Sequence, residues 1–220
     1  MPLSRLQEQV ARTIASLPEA DGFALAGGGA LVVLGVVDRP TRDLDYFGTA
    51  PDAVDRLRPA LEHALREQGL AVEVRRAVEG FVEYEVGAAG EATALDVSWD
   101  TRLFALQQTE LGAVLGRDEL AADKTLALFG RGEARDFVDV FQLRAHYERG
   151  DLCRLAEAKD RGFDLGMFGA AIAGVERHDR ADFPVDDGTY VALRDEFGSW
   201  RDSIAATLDL DVELDLDLEL

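Results

Sequence analysis

The sequence predicts a mixed α/β (α+β) fold: a small mixed sheet with flanking helices, followed by a C-terminal helical region. Three observations carry this. Residues 71 to 98 hold short runs of alternating apolar and polar residues, the signature of strands with one wet face. Before them, a short apolar strand runs into Gly27-Gly28-Gly29 and a second apolar run. After about residue 116 the apolar spacing lengthens to that of helices. We therefore expect a sheet domain over 1–116, a helical domain over 117–208 and an acidic tail over 209–220, with a ligand cleft between the two domains.

The elements follow in order. Leu6, Val10, Ile14 and Leu17 recur at helical spacing, Ser4 and Gln7 suit a capping box, and Pro18 ends the run. Phe23 to Phe47 reads as strand, glycine turn, helix, loop and strand, with the helix over 30–37 and the second strand starting at Asp43. Pro51 to Gln68 carries Val54, Leu57, Leu61 and Leu65 on one stripe, and Pro59 should kink or split that helix. Strands are expected over 71–76, 81–86 and 93–98, with turns at Gly80 and at residues 87–90. Helices then follow over 118–129, 133–147, 151–159, 164–175 and 187–208, and Gly130-Arg131-Gly132 breaks the first from the second.

Composition narrows the function. Nearly half the residues are hydrophobic, enough for a substantial core. The single cysteine, Cys153, excludes an internal disulfide framework and a cysteine-based zinc site, as expected of a cytoplasmic protein. No stretch approaches the ~20 apolar residues of a membrane span, and the first residues lack the apolar run of a signal peptide. A formal net charge of −20 opposes nonspecific nucleic-acid binding and favours a basic protein partner. The basic residues are 21 arginines and two lysines, Lys124 and Lys159, so a retained lysine is a candidate for a special role.

The strongest chemical signal lies between residues 23 and 47. Asp43 and Asp45 alternate on one face of an extended segment, where two like charges repel unless a cation sits between them. Gly27, Gly28 and Gly29 let backbone N–H groups approach an anion beside a helix N-terminus. One half of the segment thus suits a polyphosphate and the other a hard cation such as Mg2+. Asp96 shares a strand face with Ala94 and Ser98, and reads equally as an ordinary solvent-facing acid. Lys124 has Leu120, Ala121, Ala127 and Leu128 as helical neighbours, so it either reaches out to water or meets an anion. Asp136 and Asp139 share one face near the start of the next helix, where capping and a salt bridge to Arg131 or Arg135 also account for Asp136. His63, His146 and His178 have no metal-ligand spacing, and the aromatics Phe163, Phe168, Tyr190, Phe197 and Trp200 read as core. The tail from Asp209 alternates acid and apolar residues, a period that suits an exposed strand, a disordered segment or a strand added to a partner.

Gly27-Gly28, a helix, and then Arg39-x-Thr41-x-Asp43-x-Asp45 resemble the opening motif of the nucleotidyltransferase superfamily. Together with Lys124, Arg131 and Arg135-Asp136-x-x-Asp139 they are similar to the AbiEii/AbiGii-type toxins, often one half of a toxin–antitoxin pair. The resemblance implies transfer of a nucleotide from an NTP, with Asp43 and Asp45 holding Mg2+ and Asp96 a third ligand or general base. It implies that Lys124 neutralises phosphate and that Asp139 and Asp136 position the base, the ribose or the lysine. Arg39, Thr41, Arg42 and Arg131 are the expected contacts to phosphates or acceptor. A tRNA 3′ end is the implied acceptor and an antitoxin protein the implied partner. The superfamily usually has Ser or Thr where this chain has Gly29, which predicts the loss of one phosphate contact. Two other readings stay open: a small-molecule, aminoglycoside-type nucleotidyltransferase, which an acidic cleft would suit, and a non-catalytic protein that binds a nucleotide or a partner.

Overall fold

The structure, a computed structural model, describes residues 3–218. It divides into two compact units, Met1–Leu120 and Ala121–Leu220. No helix among the described residues is long and apolar enough to cross a membrane.

The first unit is a seven-stranded mixed sheet with helices on it. Helix α1 (Arg5–Ala15) starts at a complete capping box, in which Ser4 and Gln7 each accept from the other's backbone N–H. Strand β1 (Ala24–Ala26) leads into α2 (Gly27–Val33), so the three glycines form the helix's first turn rather than a turn before it. The helix stops at Val33, short of the expected residue 37, because Gly35 takes φ +65°. Strand β2 (Asp43–Gly48) and helix α3 (Pro51–Glu67) follow. Helix α3 runs through Pro59 as one element: the proline sits on the exposed side, where water can take the carbonyl left without a donor.

Strands β3 (Ala71–Val78), β4 (Phe81–Ala88) and β5 (Glu91–Trp99) form the expected meander. A further hairpin, β6 (Leu106–Thr109) and β7 (Gly112–Leu115), was not legible in the sequence. Its runs are four residues each, and its turn depends on Gly112 at φ +99°. The strand order is β3-β4-β5-β2-β1-β7-β6, with β2 parallel to β5 and β1 parallel to β7.

Alternation explains which face is covered. Leu44, Tyr46, Val82, Tyr84, Val86, Leu95 and Val97 are buried on one face. Helices α1 and α3 contact this part of the sheet and contribute buried Leu6, Val10, Ile14, Val54, Leu57, Leu61 and Leu65. Each fully buried aliphatic side chain stabilises the packing by about 1.5–3 kcal/mol. The intervening residues Asp43, Asp45, Glu83, Asp96 and Ser98 point to the opposite face, so none of them is drawn into this core.

The second unit is helical. It comprises most of α4 (Arg117–Gly130), then α5 (Ala134–Leu143), α6 (Arg149–Lys159), α7 (Leu165–Ile172) and α8 (Asp187–Leu218). Its aromatics are core, as the sequence suggests: Phe137 meets Phe197 edge-on at 5.1 Å, and Phe168 meets Trp200 at 5.2 Å. Glu196 on α8 accepts from both Arg144 and Arg149, which holds its carboxyl down at about 2. Helix α8 continues through Leu218, a correction to the strand-like reading of the tail. After Gly198 the sequence contains no glycine or proline to stop the helix, and leucine favours it. Glu219 and Leu220 lie outside the described residues.

Leu61 is fully buried between α3 and the sheet. Leu61→Ala is expected to lower the unfolding free energy by about 2–5 kcal/mol, measured by urea denaturation.

Candidate active site

The β1–α2–β2 module sets the first carboxylate against the first glycine. Strands β1 and β2 pair antiparallel with Ala26 opposite Asp45. Gly27 follows at φ +59°, and a methyl group on it would lie 1.8 Å from Asp45 Oδ2. The glycine is therefore required twice, by its left-handed backbone and by the carboxylate packed on its α-carbon. A side chain on Gly28 would meet Thr41 Oγ1 at 3.0 Å and the Arg39 guanidinium at 3.1 Å, so the loop folds back over the start of α2. Arg39 is buried there, and Arg42 is exposed.

Gly29 differs from its neighbours. A methyl group on it would meet Leu44 and Leu25, both fully buried, at 3.3 and 3.4 Å. Position 29 therefore directs its first side-chain atom at the apolar core, and a residue without one packs there most easily.

The loop is held by polar contacts. Thr41 Oγ1 donates within 3.0 Å of Asp43 Oδ1 and 3.2 Å of the Asp43 carbonyl. Gln7 Nε2 donates to the Thr41 carbonyl and to Thr93 Oγ1, and Thr93 Oγ1 is 3.3 Å from the Arg42 carbonyl. The lead helix, which carries no chemistry of its own, thus props the loop that positions Asp43.

The parallel pairing of β2 with β5 sets Asp45 directly opposite Asp96, with Asp43 opposite Ala94. On the other side of β5, Asp96 is opposite Glu83 of β4. Asp45, Asp96 and Glu83 form one row across three strands on one face. Glu83 is a residue that sequence reasoning passed over as an ordinary wet-face acid. Its alternation with Val82 and Tyr84 revealed its face and gave no hint of its neighbour.

Asp96 is the strained member of the row. Its Oδ1 is buried and has no hydrogen-bond partner. Burial first, and then the charges of Asp45, Glu83 and Asp43, push its carboxyl up to about 6 from 3.8. A cation would relieve both the orphaned oxygen and the repulsion. Among the described residues no three His, Cys, Asp or Glu side chains are already arranged as a metal cage.

The helical unit holds the other expected residues as pairs. Lys124 on α4 is buried and lies 2.9 Å from Asp139 on α5, which is fully buried. This resolves the choice posed by its apolar neighbours: the ammonium meets an anion, and that anion is a carboxylate. Lys159 is likewise paired with Asp123, in a partly buried ion pair, so each lysine of the chain meets a carboxylate. Asp136 receives Arg131 through two bonds of 2.9 and 2.8 Å and the Glu133 N–H at 3.1 Å, which caps α5. The guanidinium of Arg131 stays half-exposed.

The raised carboxyl of Asp96 has a consequence for stability. Its folded value lies above the unfolded one, so the metal-free protein loses stability as pH rises from about 4 through about 6. Asp96→Asn removes this loss. The variant is expected to match wild type near pH 4 and to melt at a higher temperature than wild type above pH 7, in EDTA, by thermal scans. Equal melting at both pH values would show that Asp96 carries no such strain.

Relatives share this architecture. A structure of JHP933 from Helicobacter pylori aligns at 18% identity over 99% of this chain and 100% of that one, with TM-score 0.55. MenT4, a nucleotidyltransferase toxin from Mycobacterium tuberculosis H37Rv, aligns at 15% identity over 89% of this chain and 82% of that one, also with TM-score 0.55. At these identities the likeness is one of fold. Among curated proteins none matches the sequence. Residues 10–206 match the family model of the nucleotidyl transferase AbiEii toxin of type IV toxin–antitoxin systems. A glycine-backed pair of aspartates on a mixed sheet, in a chain matched nearly end to end by that model, makes this protein a member of the AbiEii family of nucleotidyltransferase toxins.

Proposed function

We propose that the chain transfers a nucleoside monophosphate from an NTP to the 3′-hydroxyl of an RNA, with tRNA the foremost acceptor, in the cytoplasm. A cognate antitoxin would neutralise it. One observation carries the site assignment: Asp45, lying on Gly27, stands in register with Asp96, whose buried oxygen has no partner.

Asp43, Asp45 and Asp96 fit a Mg2+ ion by donor chemistry, since all three offer hard carboxylate oxygens on one face. When bound, such an ion supplies charge neutralisation and Lewis-acid polarisation of phosphoryl oxygens. The chain's own residues account for the rest. The N–H groups of Gly27, Gly28 and Gly29 are unpaired within the helix's first turn and face an anion favourably. Gly29 takes part through its backbone alone, and its packing on Leu25 and Leu44 means that its missing side chain removes no group already aimed at a ligand.

Asp96, in register with Asp45 and with one buried oxygen that has no partner, is proposed to accept the proton from the attacking hydroxyl. In the balanced step, the hydroxyl oxygen bonds to the α-phosphorus. The bond from that phosphorus to the bridging oxygen breaks, pyrophosphate leaves, and the proton passes to Asp96. Arg39 and Arg42 are proposed to contact phosphates. Thr41 orients Asp43. Lys124, oriented by Asp139, and Arg131, oriented by Asp136, are proposed to balance phosphate charge.

The Glu83–Asp96–Asp45 row also favours a cationic small-molecule acceptor, so the assay includes an aminoglycoside. The protein is incubated with each α-labelled NTP, Mg2+ and either total tRNA or the aminoglycoside, beside Asp45→Ala. Label entering RNA with wild type and lost by at least about a hundredfold in the variant is expected, as for removal of a group that acts in the transition state. Label entering the aminoglycoside alone would overturn the RNA reading, and label entering neither would overturn both. Gly27→Ala probes the same carboxylate from behind. It should destabilise the fold by only about 1–2 kcal/mol while abolishing transfer, because the new methyl group displaces Asp45. Full activity in a folded Gly27→Ala protein would remove Asp45 from the site.

A further inference from the structure

The carboxylate row does not end the polar face of the sheet. Beside it, one pleat along the strands, runs a second row: Val78 of β3, Phe81 of β4, Ser98 of β5 and Phe47 of β2. It is apolar and aromatic where the first row is acidic. Val78 is 53% exposed, and Phe81 and Phe47 are half-buried, so this row is no part of the covered core.

Strand β3 adds cations to this face. Its pairing with β4 slips between Val74 and Arg76, and Arg75 is the extra residue. The slip turns two successive arginines to the face that regular alternation would give to one. Arg75 is neutralised by Glu73 and by Glu85, the latter at 2.8 Å. Arg76 is different. It is exposed, makes no ion pair among the described residues, and holds its guanidinium 5.6 Å over the Phe81 ring. An exposed guanidinium over a half-buried aromatic ring is a stacking platform, and it is a cationic spot beside the acidic row.

The geometry points to Phe81 and Arg76 as the seat of the unpaired 3′-terminal bases of a single-stranded RNA acceptor, which delivers its last hydroxyl to the Asp45–Asp96 row. This rests on the nucleotidyl-transfer reading above. Scale supports it. Neighbouring strands lie about 4.8 Å apart and a two-residue step along a strand is about 6.7 Å, so the backbones at Phe81 and Asp45 are about 12 Å apart. An extended single strand crosses that distance in about two nucleotides. Splayed bases stack on aromatic rings and arginine planes, and this grip is local, so a net charge of −20 does not forbid it.

The test measures RNA binding apart from transfer. A short fluorescent single-stranded RNA with a free 3′-hydroxyl is titrated with protein in EDTA, without NTP, and read by anisotropy. Phe81→Ala and Arg76→Ala are each expected to weaken binding about tenfold, while Phe81→Tyr, which keeps the ring, binds like wild type. Asp45→Asn should bind at least as tightly as wild type and transfer nothing. In the transfer assay the two alanine variants should raise KM for RNA while KM for NTP and kcat stay unchanged. Arg76 is exposed, so loss of fold cannot explain its effect. Undiminished binding by both alanine variants overturns the proposal, as does a wild type that binds no single-stranded RNA, even where label enters another acceptor. Binding that depends on Phe81, with no label transferred, upholds this surface and overturns the transfer reading instead.

Discussion

The parallel pairing of β2 with β5 is the constraint on which the site depends. It sets Asp45 opposite Asp96 with no residue between them, on the face away from the buried side chains. Their repulsion is not screened away, because Asp96 is partly desolvated and one of its oxygens has no partner. Such strain is what a bound cation would relieve, which supports the metal-binding role proposed for this row.

The surrounding structure holds that strain in place. Gly27 gives Asp45 a surface without a side chain to lie on. Thr41 fixes Asp43, and the Gln7–Thr93 contacts fix the loop that carries Thr41. The hydrophobic face of the same strands is packed under α1 and α3, so the register cannot slip by one residue without burying the aspartates and exposing Leu44, Tyr46 and Leu95. Core packing and site geometry are thus two faces of a single strand alignment.

The helical unit uses charge differently. Lys124–Asp139 is paired and buried, Lys159–Asp123 is paired and partly buried, and Asp136 is filled by Arg131 and a backbone N–H. Breaking such a pair would leave an uncompensated buried charge at a cost of about 3–5 kcal/mol. The two units therefore contrast. Along the acidic row of the sheet unit like charges stand side by side and one Asp96 oxygen has no hydrogen-bond partner, whereas Lys124–Asp139 and Lys159–Asp123 in the helical unit are opposite and matched.

The sequence by itself determined the elements, most of the faces and the chemical candidates. Spacing revealed α1 with its capping box, the β3–β5 meander and the helices from 117 onward, because these signals are local: periodicity, caps and glycine stops. The apolar neighbours of Lys124 left it either water or an anion to meet, and Asp43 and Asp45 had to share a face. Only the tertiary structure decided who stands beside whom. Asp96 read equally as a solvent acid until its register with Asp45 was known, and Glu83 and the Phe81–Arg76 pair carried no local motif at all. The short β6–β7 hairpin and the orientation of position 29 into the core were hidden for the same reason. Alternation along a strand fixes which way a side chain points, whereas its neighbours are fixed by hydrogen-bonded pairing with segments dozens of residues away. That pairing is chosen by the packing of the whole sheet.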